Sequence, residues 1–537
     1  MSKNKDIKIK DFGKETDQLV TLDPADLPPL PYPYEDWEDP PYEEIPEHKK
    51  KGRDLSLDGI MNVIVPIPET EQEKEEMVAK FLQGLQKLLT KENNWMFLKQ
   101  FMLSLENCVK CNTCSDACPV FEESGRIEIY RPLFRSDVLR RIVNKHLKPG
   151  GKITAPFTGG NIKLNWQTVA RLAELSYRCT LCRRCAQTCP MGVDNGLISR
   201  EIRKLFSQEL GIAPAELHDD GTVKQLETGS STGINPVALM DLFEFMEEDI
   251  EDRTDLKIKM PFDKEGADIL LIHNAGEFLS WPENIEAFAI IFENAGLSWT
   301  LSSDLVGYDS VNYGLFYDDA QLARVTLQHA QIAKKLGVKK VVIAECGHAH
   351  KAIMAIGDRV WLDEVNIPRE SSMTTLADLV MNEKIMIDPE RNNFPVTLHD
   401  PCNITRSMGI IEPQRQIIKK ICPQFREMTP HGVHNYCCGG GSGFAIMQSN
   451  NFPDWRYKIS GRKKFAQILG AFSKEEMDPE TYKYVCAPCS NCKGQIRDLL
   501  RYYDAWDRTG ILYGGLVELI VNAMTDVKEG FHEWEFH

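Results

Sequence analysis

"CVKCNTCSDACP" (Cys108–Pro119) and "CTLCRRCAQTCP" (Cys179–Pro190) decide how the first half of this chain must fold. Both read C-x₂-C-x₂-C-x₃-C-P. In this spacing three close thiolates wrap one face of a [4Fe–4S] cube, and the fourth cysteine, before the proline, ligates the other cluster. The pattern therefore assigns Cys108, Cys111, Cys114 and Cys189 to one cubane [4Fe–4S] cluster, and Cys179, Cys182, Cys185 and Cys118 to a second. Zinc ribbons also use C-x₂-C pairs, but two complete copies, each with its proline, point away from zinc. Arg183 and Arg184 interrupt the second array. They read as a solvated basic turn, with cluster tuning or docking of an acidic partner as the sharper alternative.

Sixty residues separate Cys118 from Cys179, and "YRPLFRSDVLRRIVNKHL" and "NWQTVARLAELSYRC" within them carry helical patterning. Helical text begins near Glu69 and continues, with interruptions, to about Glu251. From Ala267 short β runs alternate with helices ("ADILLIHN", "ENIEAFAIIFENAG", "KKVVIAEC"), which predicts a parallel α/β lobe. "FPVTLHDPC", "EPQRQIIKKIC" and "YKYVCAPCSNC" repeat the pattern in a second, cysteine-rich lobe.

That second lobe contains "HNYCCGGGSGFA" (His434–Ala445). Sequence neighbours make a strained disulfide, since their Cα atoms lie only about 3.8 Å apart, and a poor zinc pair. Two adjacent thiolates can instead reach different atoms of one larger cluster. The glycines let backbone N–H groups come close without Cβ clashes. A phosphate-binding loop is the rival reading of "GGGSG", but no Lys-Ser/Thr follows.

Composition narrows the function. The chain has 537 residues and a net charge of −16, which argues against nucleic-acid binding through phosphate neutralisation. Sixteen cysteines without an export signal fit metal or redox chemistry in the cytoplasm. Between Glu15 and Glu47 there are eleven acidic residues, eight prolines and no lysine or arginine. This segment cannot build a core of its own. Its Tyr32, Tyr34, Trp37 and Tyr42 suggest an extended arm that packs on a partner. "ILYGGLVELIVNAM" (Ile511–Met524) is 14 residues long and carries Glu518, too short to span a bilayer; it is expected to be a buried amphipathic helix.

The helical insert between the arrays resembles the all-helical ferredoxin domain of succinate dehydrogenase and heterodisulfide reductase iron–sulfur subunits. Cys402 in "HDPC", Cys437-Cys438 in "CCGGG" and the C-x₂-C of "CSNC" resemble the signature of the CCG (cysteine-rich) domain. The resemblance implies one noncubane [4Fe–4S] cluster with five ligands: Cys402, Cys437, Cys438, Cys489 and Cys492. Cys486 is then a neighbour of undecided role, and Cys422 a core cysteine. The first lobe departs from the family, because "VGYDSVNYG" (Val306–Gly314) stands where its CCG should fall. Only "AECGHAH" remains, and a pseudo-twofold repeat would set Cys346 and His348 opposite the intact site, with Cys346 a reactive thiol beside iron.

The expected fold class is mixed: an all-helical two-cluster ferredoxin domain and two pseudo-repeated α/β CCG lobes behind an extended acidic Pro-rich arm. The expected bounds are 1–68 for the arm, 69–255 for the ferredoxin domain, 267–390 for the degenerate lobe, 391–505 for the intact lobe and 506–537 for a C-terminal helix and tail. Over about residues 80–505 the chain is similar to heterodisulfide reductase D-type proteins, particularly the DsrK type. The resemblance implies a heterodisulfide reductase-like oxidoreductase, peripheral on the inner face of the cytoplasmic membrane. It also implies a haem b membrane subunit linked to menaquinone, other subunits of a complex, and a DsrC-like sulfur-carrier protein as substrate. His348, His399 and His434 are the candidate proton donors, as imidazole titrates near neutral pH. The alternative is a non-catalytic electron-transfer subunit of a quinone-linked glycolate, lactate or glycerol-3-phosphate dehydrogenase.

Overall fold

The structure, a computed structural model, describes residues 7–16, 18–44, 57–63, 65–450 and 454–531, with the side chains of 448–450 excepted. Parts of the expected arm (1–6, 17, 45–56, 64) and of the C-terminal tail (532–537) lie outside the described residues. The chain forms two compact units. One comprises 1–217, 316–319 and 436–466, and the other 218–315, 320–435 and 467–537.

The first unit is helical. Glu71–Leu88 starts at a capping box, with the Glu73 N–H donating to Thr70 Oγ1 at 3.2 Å and the Thr70 N–H to Glu73 Oε2 at 3.3 Å. These bonds satisfy backbone groups that a helix start otherwise leaves open. Phe81, Leu85 and Leu88 fall on one face and are buried. There Phe81 meets Phe206 of the helix Asn195–Leu210, ring centroids 5.8 Å apart. The insert between the cysteine arrays is helical at Pro132–Ile142 and Trp166–Ser176. A buried ion pair anchors the stretch of chain leading into the second array. Arg178 Nε and Nη2 reach the two Asp58 oxygens at 2.8 and 2.9 Å, and the Tyr130 hydroxyl donates to Asp58 Oδ2 at 2.6 Å.

Of the arm's four rings Tyr32 is exposed and Trp37 and Tyr42 are half-buried. Tyr34 is fully buried and packs edge-on against Phe465 at 5.1 Å. Lys458 lies over the Tyr42 ring and donates to the carbonyls of Pro40 and Pro41. Arg462 pairs with Asp39 at 2.7 Å and donates to the Pro28 carbonyl. Within its own chain the arm is thus met by segment 436–466 through Lys458 and Arg462, and near its start by Arg171 and Lys163.

The second unit carries two four-stranded parallel sheets of identical order. The strands β1 (Ile269–Ile272), β2 (Trp299–Thr300), β3 (Lys340–Ile343) and β4 (Arg369–Ser371) run β2-β1-β3-β4. β5 (Val396–Leu398), β6 (Phe425–Arg426), β7 (Lys483–Cys486) and β8 (Ile511–Gly514) run β6-β5-β7-β8. The registers match as well: Ile272 pairs with Ile343 as Leu398 pairs with Cys486. This makes a mixed α/β protein with a repeated sheet. The stretch 511–524, expected as one helix, is a strand followed by the helix Leu516–Ala523. Gly515, the helix N-cap, separates the two, and Ile511, Leu512 and Tyr513 suit the edge of a sheet. β8 therefore completes the second sheet, beyond the expected limit at 505.

Candidate metal centres

Both cysteine arrays adopt the same wrapped backbone. The non-glycine residues on either side of the second cysteine have positive φ in each: Lys110 (59°) and Asn112 (66°) around Cys111, Leu181 (53°) and Arg183 (61°) around Cys182. Such conformations cost about 1–2 kcal/mol per residue and persist where surroundings over-determine them. Here they turn three thiols toward one point.

Cys118, Cys179, Cys182 and Cys185 line one pocket. Burial pushes the Cys118 thiol up to about 12, and Cys182 and Cys179 add to the rise. Cys185 is raised by burial and then by Cys182 and Cys179. In the first array burial takes Cys114 up to about 11, and Cys108, Cys118 and Cys189 push the same way. Burial, more than the neighbouring thiols, favours the protonated form of Cys114, Cys118 and Cys185 until a cation joins them. N–H donors already face several sulfurs, Val193 to Cys189 at 3.3 Å and Gly439 to Cys437 at 3.4 Å. Clustered sulfurs with backbone donors suit iron–sulfur centres, whose potentials respond to such hydrogen bonds. No disulfide forms among the described residues, which include all sixteen cysteines.

Arg183 and Arg184 are not a solvated turn. Arg183 Nε pairs with Asp194 at 2.6 Å, while buried Arg184 donates to the Ala117 carbonyl at 2.7 Å and covers the Tyr436 ring at 4.4 Å. The two side chains tie the second array to the first array's last turn and to the residue preceding the Cys-Cys pair.

Cys437 lines the same pocket as Cys118, Cys179, Cys182 and Cys185, and Cys437 and Cys438 are both buried. Their loop is set by Gly439, whose φ is +96°. A Cβ there would stand 2.5 Å from the Gly461 Cα and backbone N. Arg203 reaches Ser442 and donates to the Cys179 carbonyl at 2.7 Å, so one guanidinium holds the glycine loop and the second array together.

The second unit positions Cys402, Cys489, Cys492 and the candidate histidines. In "HDPC", Asp400 receives both Arg415 Nη groups at 2.7 Å and the Gly432 N–H at 2.6 Å, which fixes the turn between β5 and the helix Cys402–Met408. Arg406 of that helix donates to the carbonyls of Val433 and Asn435. His399 is buried, with a ring nitrogen within 4.8 Å of the Cys492 sulfur and Nδ1 3.5 Å from Asn435 Nδ2. His348 is half-buried and His434 exposed. Cys486 and Cys422 are both in the apolar core, which gives Cys486 a packing role on β7.

The matched registers set Cys346 and Cys489 at equivalent positions, three residues past the paired ends of β3 and β7. By the same count Gly276 stands for Cys402, Ala349 for Cys492 and His273 for His399. The two loops meet: the Gly347 N–H donates to the Cys489 sulfur at 3.3 Å and the Ser490 N–H to the Glu345 carbonyl at 2.6 Å. Asn274 Nδ2 donates to the Cys346 sulfur at 3.1 Å. Burial pushes the Cys346 thiol up to about 12, with Cys489 and Glu277 adding to the rise, so its protein surroundings favour the thiol rather than a reactive thiolate. In the first lobe buried Asp309 organises the loop that lacks cysteine. It accepts from the N–H groups of Ala275, Val311 and Ser231 and from the Ser231 hydroxyl.

A buried charge group that sequence reasoning missed adjoins these cysteines. Glu345 accepts from the Leu516 and Val517 N–H groups at 3.0 and 3.2 Å and from Asn284 at 3.1 Å. Glu518 pairs with Lys493 at 2.6 Å, and Lys493 lies 3.7 Å from Glu283. Three carboxylates share one ammonium. Burial, then the charge of Glu518, raises the Glu345 carboxyl well above its ordinary range, so this group holds a proton. "AECG" displayed Glu345, but nothing local in it signals burial.

Comparison with known proteins agrees with this geometry. Residues 104–193 match a 4Fe-4S dicluster domain, and residues 396–497 match a cysteine-rich domain. The chain is 26% identical over 486 residues to an Hdr-like menaquinol oxidoreductase iron-sulfur subunit 2 of Archaeoglobus fulgidus, covering 83% of each chain. It is 25% identical over 387 residues to an Hdr-like menaquinol oxidoreductase iron-sulfur subunit of Archaeoglobus profundus, covering 64% of this chain and 68% of that one. It is also 22% identical over 356 residues to the D-type subunit of the dihydromethanophenazine:CoB–CoM heterodisulfide reductase of Methanosarcina mazei, covering 64% of this chain and 79% of that one.

Proposed function

We propose that this chain is the catalytic iron–sulfur subunit of a membrane-associated, DsrK-type complex that takes quinol-derived electrons through a haem b subunit. Its reaction is reduction of a disulfide or trisulfide on a DsrC-like sulfur-carrier protein. For a disulfide the balance is RSSR′ + 2 e⁻ + 2 H⁺ → RSH + R′SH, with menaquinol as the reductant. Two cubane clusters on the arrays and a noncubane cluster on Cys402, Cys437, Cys438, Cys489 and Cys492 would supply one-electron transfer and a thiophilic iron. The observation that carries the reading is the single pocket shared by Cys437, Cys118 and three cysteines of the second array, Cys179, Cys182 and Cys185. A motif with no redox task has no reason to adjoin an electron carrier.

The chain's own groups supply the rest. The Arg203 and Arg184 guanidiniums keep the glycine loop and the second array in register. Asp400 and Arg415 orient the turn that carries His399 and Cys402. His399, beside Cys492, is the best-placed of the three histidines to give a proton to a departing sulfur. The Glu345 carboxyl, raised by burial, keeps a second proton close to the Cys346 and Cys489 loops.

The test is Cys438→Ser in the assembled complex. Menaquinol should still reduce both cubane clusters, read by paramagnetic resonance, while reduction of the carrier disulfide is lost. Full activity of this variant on the carrier would refute catalysis at the Cys-Cys-Gly motif. It would leave the chain an electron relay to a separate dehydrogenase.

A further inference from the structure

In a chain with 79 acidic residues, the 36 residues from Val138 to Ala173 contain none, and seven lysines and arginines. Most of these cations serve the fold. Arg171 donates to the carbonyls of Phe12 and Lys14, Lys163 pairs with Glu15, and Arg140 and Arg141 pair with Asp137. Lys148 and Lys152 are different. Both are exposed and make no ion pair among the described residues. Between and beyond them, Ile153 and Phe157 are 77% and 89% exposed.

The loop presenting them is built. Lys145 Nζ donates to Asn161 Oδ1 at 3.1 Å and to the Ile162 carbonyl at 2.7 Å, which closes the loop's far end onto the preceding helix. At its near end a Cβ on Gly151 would lie 2.1 Å from the Asn144 carbonyl oxygen, so only glycine fits. Beside the loop, Met102, Leu105, Val143, Leu147 and Lys148 line a groove of about 380 Å³.

We propose that residues 148–160 form a contact with an anionic phospholipid surface, Lys148 and Lys152 meeting the headgroups while Ile153 and Phe157 enter the acyl boundary. Charge selects this occupant. A cationic, acid-free loop on a strongly acidic protein is complementary to an anionic leaflet. Apolar tips flanked by lysines are the pattern of interfacial binding. No helix of at least 18 residues among the described ones is apolar enough to cross a membrane, so attachment through such a loop supplements whatever a membrane subunit provides. The contact stands apart from the reductase reading, because lipid binding is measured without turnover.

The experiment is flotation of the cluster-loaded full chain with phosphatidylcholine vesicles, with and without phosphatidylglycerol. The wild type should float with the phosphatidylglycerol vesicles and detach as salt is raised. Ile153→Ser/Phe157→Ser and Lys148→Glu/Lys152→Glu should each bind at least tenfold more weakly, with unchanged melting and unchanged activity from a soluble electron donor. Binding that ignores phosphatidylglycerol, no binding by the wild type, or equal binding by both variants would overturn the proposal. Variants that bind vesicles normally but lose the membrane subunit would show the loop to be a protein interface, and would overturn it too.

Discussion

Gly439→Ala is the sharpest single perturbation of the Cys-Cys-Gly loop. A Cβ at φ +96° lies in a region that costs an L-residue about 1–2 kcal/mol. It would also stand 2.5 Å from Gly461 and 2.6 Å from the Ser460 carbonyl carbon, which are backbone atoms with no side chain to swing aside. Overpacking of that kind adds about 1–3 kcal/mol, for a total of about 2–5 kcal/mol. At about 2–4 °C per kcal/mol for a unit of this size, melting should fall by on the order of 10 °C. Because Cys437 and Cys438 precede the displaced residue, iron should be lost as well. Gly441→Ala is the control, since its Cβ would meet only the Thr180 carbonyl, at 3.2 Å and without a positive φ. Scanning calorimetry with iron and sulfide determination reads both effects. A Gly439→Ala protein that melts within about 2 °C of the wild type with full iron would refute the steric argument.

Asp58→Ala leaves buried Arg178 only the Glu174 carboxylate at 3.3 Å and should cost about 2–4 kcal/mol at neutral pH. Burial raises the Asp58 carboxyl, but Arg178 overrides it and the folded pKa is lowered, so the pair's contribution is present above about pH 4 and disappears as pH falls through the folded value. Denaturant midpoints of wild type and variant should therefore converge in acid, and a constant gap would contradict the linkage. Tyr34→Ala empties the arm's buried anchor and should cost about 3–5 kcal/mol, with faster proteolysis of the arm; unchanged proteolysis would mean the arm is held elsewhere. Cys346→Ala should keep about 12 irons per chain, four per cluster. About 16 irons in the wild type would mean the first lobe binds a cluster despite Asp309.

The dicluster domain and the cysteine-rich domain were legible because iron–sulfur spacing is written in nearby residues, and the lobes because each repeats a strand-helix pattern. Legibility failed where contacts span hundreds of residues. Nothing near Tyr34 announces Phe465, and nothing near Arg184 announces Tyr436. The helical expectation for 511–524 failed because an apolar run reads alike as strand or helix, and only pairing with Lys483–Cys486 settles it. Asp309 was hidden for a different reason. A carboxylate that organises a loop through backbone N–H groups leaves no spacing signature, unlike a thiolate set.

The arm's dependence on segment 436–466 bears on the order of synthesis. Arg462 grips the Pro28 carbonyl across 434 residues of sequence. At about 5–20 residues per second, the N-terminal arm leaves the ribosome roughly 20–90 s before its clamp exists. Through that interval Tyr34 has no Phe465 to cover it, and both cysteine arrays emerge before Cys437 reaches their pocket. The nascent chain thus displays eight thiols and an unclamped arm to the cell until the last third of synthesis brings their partners.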